Sequence, residues 1–283
     1  MQPRKGARSN DPDPHHRPRA AAFHAGGSSA PDRLLDGLDG NTLSKQWLNG
    51  AERFPSYLAQ ETRFANGEHQ QYLPSQARVE NGLLNIYARP MTGEERVKWV
   101  DRVTNPKFKY SAADQKAMTK AGWVSGQISS YPNLPFAPGT ILTFKLILPT
   151  GKALWPAAWA FESTNVTEID AFEGNGATAA DPRGNSPHAV HDFQAGYHNG
   201  CSKQTVATTG WHRYSADWSN PKLIRYLVDG KEVCSVPAGP RMTKPMFIMI
   251  GMAVGSSSPW ISLPDTTTPL TKFSVDWVKV EKP

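Results

Sequence analysis

Residues 154–176, LWPAAWAFESTNVTEIDAFEGNG, contain two mostly apolar runs separated by a short polar turn. The second run holds three carboxylates, Glu168, Asp170 and Glu173. Alternate residues of a strand share a face, so Glu168 and Asp170 point to one side and Glu173 to the other in a regular strand. A one-residue bulge around Ala171–Phe172 brings all three acids onto one face, and we predict that bulge.

Three like charges on one face are unfavourable, because each carboxylate raises the pKa of its neighbours. A glycosidase makes use of this effect, since it needs one ionised carboxylate and one protonated carboxylic acid at the same site. The spacing alone leaves two other interpretations open, an exposed acidic strand face and a calcium site.

The rest of the chain predicts an all-β fold. Its 283 residues include 9 Trp, 8 Tyr, 11 Phe, 23 Gly and 24 Pro, and short apolar runs alternate with turn residues along most of its length. We predict hairpin turns at Glu80–Gly82 and at Asp229–Gly230. Residues 92–120 are polar and basic and break the strand pattern, so we interpret them as a long loop on the substrate side, with room for a short helix.

Charge and composition divide the chain into two parts. Residues 1–35 form a basic, Pro-rich segment that we expect to be disordered, and residues 36–283 form one folded domain. The net charge is +6, and residues 1–34 account for half of it, with six Arg or Lys and three Asp (6 − 3 = +3). No basic helix accompanies this charge and no stretch reaches about 20 apolar residues, so we expect neither nucleic-acid binding nor a membrane span.

The two cysteines, Cys201 and Cys234, belong to no C-x-x-C pair. The sequence leaves open whether they form one disulfide or remain two free thiols.

The stretch at 154–176 resembles the signature of glycoside hydrolase family 16, in which E-x-D-x-x-E lies on a bulged strand. The resemblance continues in order through NGEHQQYLPSQARVENGLLNIYARP, WHRYSADWSNPKLIRYLVDGKEVCSV, PMFIMIGMAVG and FSVDWVKV. It covers residues 36–283 and is therefore far more specific than the acidic motif alone.

The resemblance implies a β-jelly-roll of the concanavalin A-like type, a sandwich of two antiparallel sheets with a concave substrate cleft. It implies a retaining endo-β-glycosidase that acts on a β-glucan or a bacterial exopolysaccharide, with Glu168 as nucleophile, Asp170 as its helper and Glu173 as general acid/base. It implies no cofactor for catalysis, but a structural calcium ion near Asp276 and the carbonyl of Gly82. We expect a monomer that works outside the cell or in the cell envelope, although no export signal is visible.

The resemblance also suggests residues that border the cleft. Sugar rings present apolar faces edged by hydroxyls, so aromatic and amide side chains are suited to bind them. The predicted substrate-binding residues are Asn66, Trp155, His191, Tyr197, Asn199 and Trp260. One departure concerns the position two residues before the nucleophile, where many relatives carry Trp and this chain has Val166. Together with the basic stretch at 92–120, this favours an acidic or decorated polysaccharide over laminarin.

Two other functions on the same fold remain open. One is a non-catalytic glycan-recognition module, although such relatives lose the catalytic glutamates and this chain retains both. The other is a transglycosylase, in which a sugar hydroxyl instead of water resolves the glycosyl-enzyme intermediate.

Overall fold

Strands dominate the structure, a computed structural model. The residues that it describes are 33–35, 38, 40–49, 67–108, 111–131, 133–162, 164, 166–174, 188–201, 210–256 and 261–283. They belong to one unit, Asp32–Pro283. Residues 1–32 lie outside the described part, and the first strand occupies the last three residues of the predicted tail.

The elements follow one another along the chain in this order: β1 (Arg33–Leu35), β2 (Leu48–Asn49), β3 (Gln70–Tyr72), β4 (Ala77–Glu80), β5 (Leu83–Pro90), α1 (Gly93–Thr104), α2 (Ala112–Met118), β6 (Trp123–Ser125), β7 (Gln127–Ser129), β8 (Pro135–Phe136), β9 (Ile141–Ile147), β10 (Leu154–Glu162), β11 (Thr167–Glu173), β12 (His188–Asp192), β13 (Tyr197–Cys201), β14 (His212–Asn220), β15 (Leu223–Val228), β16 (Lys231–Pro237), β17 (Met246–Val254) and β18 (Thr271–Glu281).

These strands form two sheets. We call the first the outer sheet; its order is β16-β15-β14-β9-β18-β5-β6-β3, with β1 on β18 and β4 on β5. The second, the cleft sheet, has the order β13-β12-β11-β10-β17-β7-β2, with β8 on β17. Their pairings are antiparallel apart from the parallel pair of β3 and β6. The predicted sandwich of two antiparallel sheets is confirmed.

Strand alternation separates the core from the cleft. In β17, Met246, Ile248 and Ile250 belong to the main apolar cluster between the sheets, whereas Met249 packs on the opposite face with Trp159 and Phe161 of β10. One face of the cleft sheet therefore meets the outer sheet, and its other face is the surface that carries the acidic residues of β11.

Both predicted hairpin turns are present. Asn81 and Gly82 connect β4 to β5, and Asp229 and Gly230 connect β15 to β16. All four residues have positive φ, from 52° to 82°, which is the requirement of a two-residue turn whose twist matches the strands.

Residues 92–120, interpreted as a long loop with room for a short helix, contain two helices, α1 and α2. Thr92 and Glu95 form a reciprocal capping box at the start of α1. The pair of helices has a small core of its own, made by Trp99, Val103, Met118 and Ala121. Neither helix is long and apolar enough to cross a membrane, and the same holds for every helix in the described part of the chain.

A disulfide between Cys201 and Cys234 settles the alternative that the sequence left open. Cys201 ends β13 at the edge of the cleft sheet, and Cys234 lies in β16 at the edge of the outer sheet. The bond therefore ties the two sheets together at one side of the sandwich.

We expect the double substitution Cys201→Ala/Cys234→Ala to lower the free energy of unfolding by about 4 kcal/mol, because the bond closes a loop with a sequence separation of 33 residues. Urea unfolding of the oxidised protein, the reduced protein and the variant measures this difference. Reductant should destabilise the wild type and leave the variant unchanged; equal unfolding midpoints for all three samples would contradict the assignment.

Candidate active site

The predicted bulge is present in β11. Asp170 pairs with Trp159 of β10 and Phe172 pairs with Ala158, so Ala171 has no partner in the register. Ala171 and Phe172 are both fully buried in the core between the sheets. Two successive residues thus face inward, and Glu168, Asp170 and Glu173 share the cleft face.

The surroundings of Glu173 favour its protonated form, which suits it to donate a proton. Burial, together with the negative charges of Asp170 and Glu168, raises the pKa of Glu173 well above its ordinary value of 4.5. Trp155 in β10 donates a hydrogen bond from Nε1 to Glu173 Oε1 over 3.0 Å, which favours the ionised form but is the smallest of these effects. An indole N–H can only donate, so it keeps Oε1 as an acceptor and leaves the other carboxyl oxygen for the proton.

His191 stands on the other side of the three acids. The register places it opposite Glu168 in the pairing of β11 with β12, and its Nε2 lies 3.3 Å from Asp170 Oδ2. Burial lowers the pKa of His191, whereas the charge of Glu168 raises it. Its Nδ1 lies 3.0 Å from Nδ1 of His198 in β13, and its ring stacks on Phe193. The contacts place His191 beside Asp170 and Glu168, not beside Glu173.

His188 supports the bulge from the core side. It is fully buried in β12, and its Nδ1 lies 2.8 Å from the carbonyl oxygen of Ala171, the residue that the bulge leaves out of the register. Because a carbonyl only accepts, His188 Nδ1 carries the proton. Burial lowers the pKa of His188 to about 4, so the ring is neutral at physiological pH. The ring also stacks on Tyr226 of the outer sheet.

Two predicted substrate-binding residues lie on the wrong face of the sheet. Tyr197 packs against the core between the sheets and donates a hydrogen bond to the carbonyl of Pro237, and Asn199 donates to the Tyr197 hydroxyl. Strand alternation puts both opposite to His198, which faces the cleft. The structure therefore brings Trp155 and His191 to the acids, and not Tyr197 or Asn199. Asn66 and Trp260 lie outside the described residues.

The predicted calcium ligands are neighbours in the outer sheet. β18 pairs with β5 as far as Val275 and Leu84, so Asp276 lies one residue beyond that pair and Gly82 two. The Asp276 carboxylate, however, forms an ion pair with Lys145 Nζ at 2.9 Å. A calcium ion at this position would compete with the Lys145 ammonium group for the Asp276 carboxylate, whose second oxygen could still bind it, so the calcium site stays a prediction.

Val166 occupies the position where many relatives have Trp. It has a φ of 53°, a left-handed conformation that is unusual for a β-branched residue, and lies in the turn between β10 and β11. Its carbonyl accepts a hydrogen bond from the backbone of Phe193 at 3.1 Å. The side chain packs beside Trp159 and Met249 on the cleft face.

His188 and His198 were missed by the sequence analysis. His188 lies three residues before His191, an odd step that puts the two side chains on opposite faces of one strand. His198 faces His191 only through the hairpin of β12 and β13, whose register pairs the two residues. That register depends on the length of the connecting turn, so the sequence offered a weak signal for His198 and none for the contact of His188 with Ala171.

Two antiparallel sheets with three acids on a bulged strand of the cleft sheet are typical of a jelly-roll that cleaves carbohydrates. The family model of glycosyl hydrolases family 16 matches residues 95–279. The chain belongs to this family and is classed with the hydrolases of O-glycosyl bonds.

Known relatives agree with this assignment. The chain is 26% identical over 185 residues to the glucan endo-1,3-beta-glucosidase A1 of Niallia circulans; the match covers 57% of this chain and 27% of that relative, about a quarter of its length. The endo-beta-1,3-glucanase of Pyrococcus furiosus superposes with a TM-score of 0.68 at 24% identity, covering 89% of this chain and 94% of the other. The laminarinase catalytic domain of Thermotoga maritima superposes with a TM-score of 0.67 at 20% identity, covering 90% and 99%.

Glu173→Gln should make the protein more stable at alkaline pH while it removes activity. The raised pKa means that the folded protein favours the protonated form of Glu173. The stability that this preference contributes is fully present below the pKa of Glu173 in the unfolded chain, near 4.5, and is lost as the pH rises through its pKa in the folded protein. Glutamine stays neutral at every pH. We expect a higher melting temperature than that of the wild type at pH 8, a difference that shrinks toward pH 4, and a fall in kcat of about 10²–10⁴-fold.

Thermal denaturation across this pH range measures the effect. Glu232→Gln, at an exposed position of β16, is the matched control for the change in net charge. A pH-dependent gain of the same size in both variants would contradict a perturbed Glu173.

His188→Leu should lower kcat by about 10-fold or more with little change in KM, because the bulge loses the donor that holds the Ala171 carbonyl and the acids shift relative to one another. His188→Asn keeps an N–H donor close to the position of Nδ1 and should recover most of the loss.

Ser215→Ala is the control, since it removes another buried hydrogen bond, the one that joins the hydroxyls of Ser215 and Thr143 at 2.8 Å within the outer sheet. It should lower the melting temperature and preserve kcat. Equal kcat in His188→Leu and Ser215→Ala at matched stability would show that His188 is merely structural.

Proposed function

We propose that the chain is a retaining endo-β-glycosidase that hydrolyses a β-glucan. The observation that carries the proposal is the bulge at Ala171, which aligns Glu168, Asp170 and Glu173 on the cleft face while the pKa of Glu173 is raised. One acid held protonated beside two other carboxylates is the arrangement that acid-assisted cleavage with a carboxylate nucleophile requires.

In the first step, Glu173 donates its proton to the oxygen of the scissile bond. Glu168 attacks the anomeric carbon, the bond to the leaving sugar breaks, and a covalent glycosyl-enzyme forms. The hydrogen bond from Trp155 to Glu173 Oε1 directs the proton to the other carboxyl oxygen. Asp170 and His191, which lie next to Glu168, orient its carboxylate for the attack.

In the second step, Glu173 is ionised and accepts a proton from water. The resulting hydroxide attacks the anomeric carbon and releases Glu168 as a carboxylate, so that the configuration of the sugar is retained after two inversions. Glu173 ends the cycle protonated. Its raised pKa favours this return to the acid form.

A β-1,3-linked glucan such as laminarin is the first substrate to test, because the relatives from Niallia circulans and Pyrococcus furiosus are named for cleavage of this linkage. The position of the acids also supports internal cleavage: β11 is flanked by β10 and β17 on one side and by β12 and β13 on the other. Sheet surface thus extends to both sides of the acids, where a chain can continue in both directions.

An acidic polysaccharide is the second candidate, favoured by the position of the helical insertion. The backbone of His69 donates to Val254, which pairs with Leu154 next to Trp155. Burial is the largest cause of the lowered pKa of His69, and the nearby positive charge of exposed Lys120, at the end of the insertion, lowers that pKa further. A cationic group therefore lies near the Trp155 end of the cleft, where it would attract an anionic sugar.

The two alternatives on the same fold differ in chemistry. Intact Glu168 and Glu173 argue against a recognition module, while transglycosylation uses the same residues and differs only in the acceptor. We further propose that the protein acts outside the cell or in the cell envelope, because a polymer substrate does not enter the cytoplasm and a disulfide joins Cys201 to Cys234.

The test is hydrolysis of laminarin, mixed-linkage glucan, agarose, carrageenan and a succinoglycan-like polymer, with product sizes resolved. We expect the wild type to release oligosaccharides of several lengths from laminarin, and Glu168→Gln to lose activity by about 10³-fold or more. Glu232→Gln serves as the control, and products longer than the starting chains would indicate transglycosylation.

Proton NMR of the first products reports the stereochemistry. Retention requires the β-anomer to appear first, before mutarotation. Early α-anomer would overturn the proposed nucleophile, and full activity of Glu168→Gln would overturn the site itself.

A further inference from the structure

Three different side chains converge at one point of the cleft. One ligand atom each from Glu168, Asp170 and His191 lies within 4.8 Å of the others, and it is the one such group of three or more in the described residues. The register explains it, because Asp170 and Glu168 alternate along β11 and His191 stands opposite Glu168 in β12. The group combines two carboxylates with an imidazole.

The tautomer of His191 decides what this group can bind. In one tautomer, His191 donates from Nε2 to Asp170 and accepts at Nδ1. In the other, Nδ1 donates to His198, whose Nδ1 is 3.0 Å away, and the lone pair of Nε2 faces Asp170 Oδ2 at 3.3 Å. In this tautomer, two acceptors face each other at a distance that a bound cation can bridge. A histidine that binds a metal through one ring nitrogen commonly donates the N–H of its other ring nitrogen to a neighbouring group, as His191 donates to His198 in this tautomer.

The distance between the two acceptors fits a tetrahedral ion. Zinc binds imidazole nitrogen and carboxylate oxygen at about 2.0–2.2 Å, so two ligand atoms of a tetrahedron lie about 3.4 Å apart. The observed 3.3 Å between Asp170 Oδ2 and His191 Nε2 matches this edge without movement of either side chain. Glu168 closes the third position by rotation of its side chain, and water completes the fourth.

We propose that Glu168, Asp170 and His191, supported by His198, form a Zn²⁺ site in the cleft, and that the bound ion inhibits hydrolysis. The binding is independent of the reaction, whereas the inhibition rests on the proposed function of Glu168. A zinc ion neutralises the two carboxylates and occupies the electron pair with which Glu168 attacks the anomeric carbon. The protein is then a glycosidase that local zinc switches off reversibly.

The ligand set also predicts selectivity. Imidazole nitrogen suits zinc, while magnesium prefers an octahedral set of oxygen ligands and retains much of its water. Magnesium in excess should therefore neither bind at this group nor inhibit.

The first arm of the test is calorimetric titration of the protein with zinc at neutral pH. Since the chain also contains the adjacent residues His15 and His16, both are replaced by Ala in the background used. We expect the parent to bind one ion per chain and His191→Ala to bind it at least 10-fold more weakly. In His198→Ala we expect about 10-fold weaker binding, because His198 orients His191 through a hydrogen bond to its Nδ1.

His212→Ala is the matched control, since His212 also contacts a carboxylate, Asp229 at 2.7 Å, but far along the outer sheet. It should bind zinc like its parent. Equal binding by the parent and by His191→Ala, or no binding by the parent, overturns the site.

The second arm measures laminarin hydrolysis with zinc, with magnesium, and after removal of zinc by a chelator. We expect loss of activity with zinc alone and full recovery with the chelator. Zinc binding without any hydrolysis in its absence would refute the proposed function and leave the site intact. Hydrolysis that zinc does not change would refute the inhibition, whatever the titration shows.

Discussion

The extra residue at Ala171 is the constraint on which the rest of the site depends. Without it, Glu173 would point between the two sheets, where an unpaired carboxylate is strongly unfavourable. The bulge instead turns Ala171 and Phe172 into the core and directs Glu173 to the cleft face. The bulge also leaves the carbonyl of Ala171 without a partner in the pairing with β10. A buried carbonyl requires a hydrogen-bond donor, and His188 supplies it.

Side chains from both sheets pack around the bulge and hold it in place. Phe172 packs against Tyr214 of the outer sheet with ring centroids 4.8 Å apart, and Tyr226 stacks on His188 and bonds to the carbonyl of the next residue, Ala189. Since a close-packed interior does not deform gradually, these contacts favour one position of the strand. The geometry of the acids is thus determined partly by a sheet that contributes no catalytic group.

Sequence patterns predicted a large part of this arrangement. The alternation in residues 167–173 identified Glu168 and Asp170 as neighbours and required a bulge for Glu173, and the dipeptides Asn81-Gly82 and Asp229-Gly230 indicated their turns. For residues 92–120 the sequence analysis allowed one short helix where two form, because polar composition was weighted above the local start signal of Thr92 and Glu95. Tyr197 and Asn199 were assigned to the cleft because a resemblance transfers positions along a strand, but not the face to which each side chain points.

The sequence by itself determined the class of fold, the strand that carries the acids and the need for a bulge, because these follow from periodicity and charge over a few consecutive residues. Only the tertiary structure decided which residues surround the acids. Trp155 reaches Glu173, His191 reaches Asp170 and His188 reaches Ala171 across strand pairs, and residues separated by 17 and 18 positions become neighbours there. Such contacts depend on the register between strands and on the packing of one sheet against the other, which no local pattern encodes.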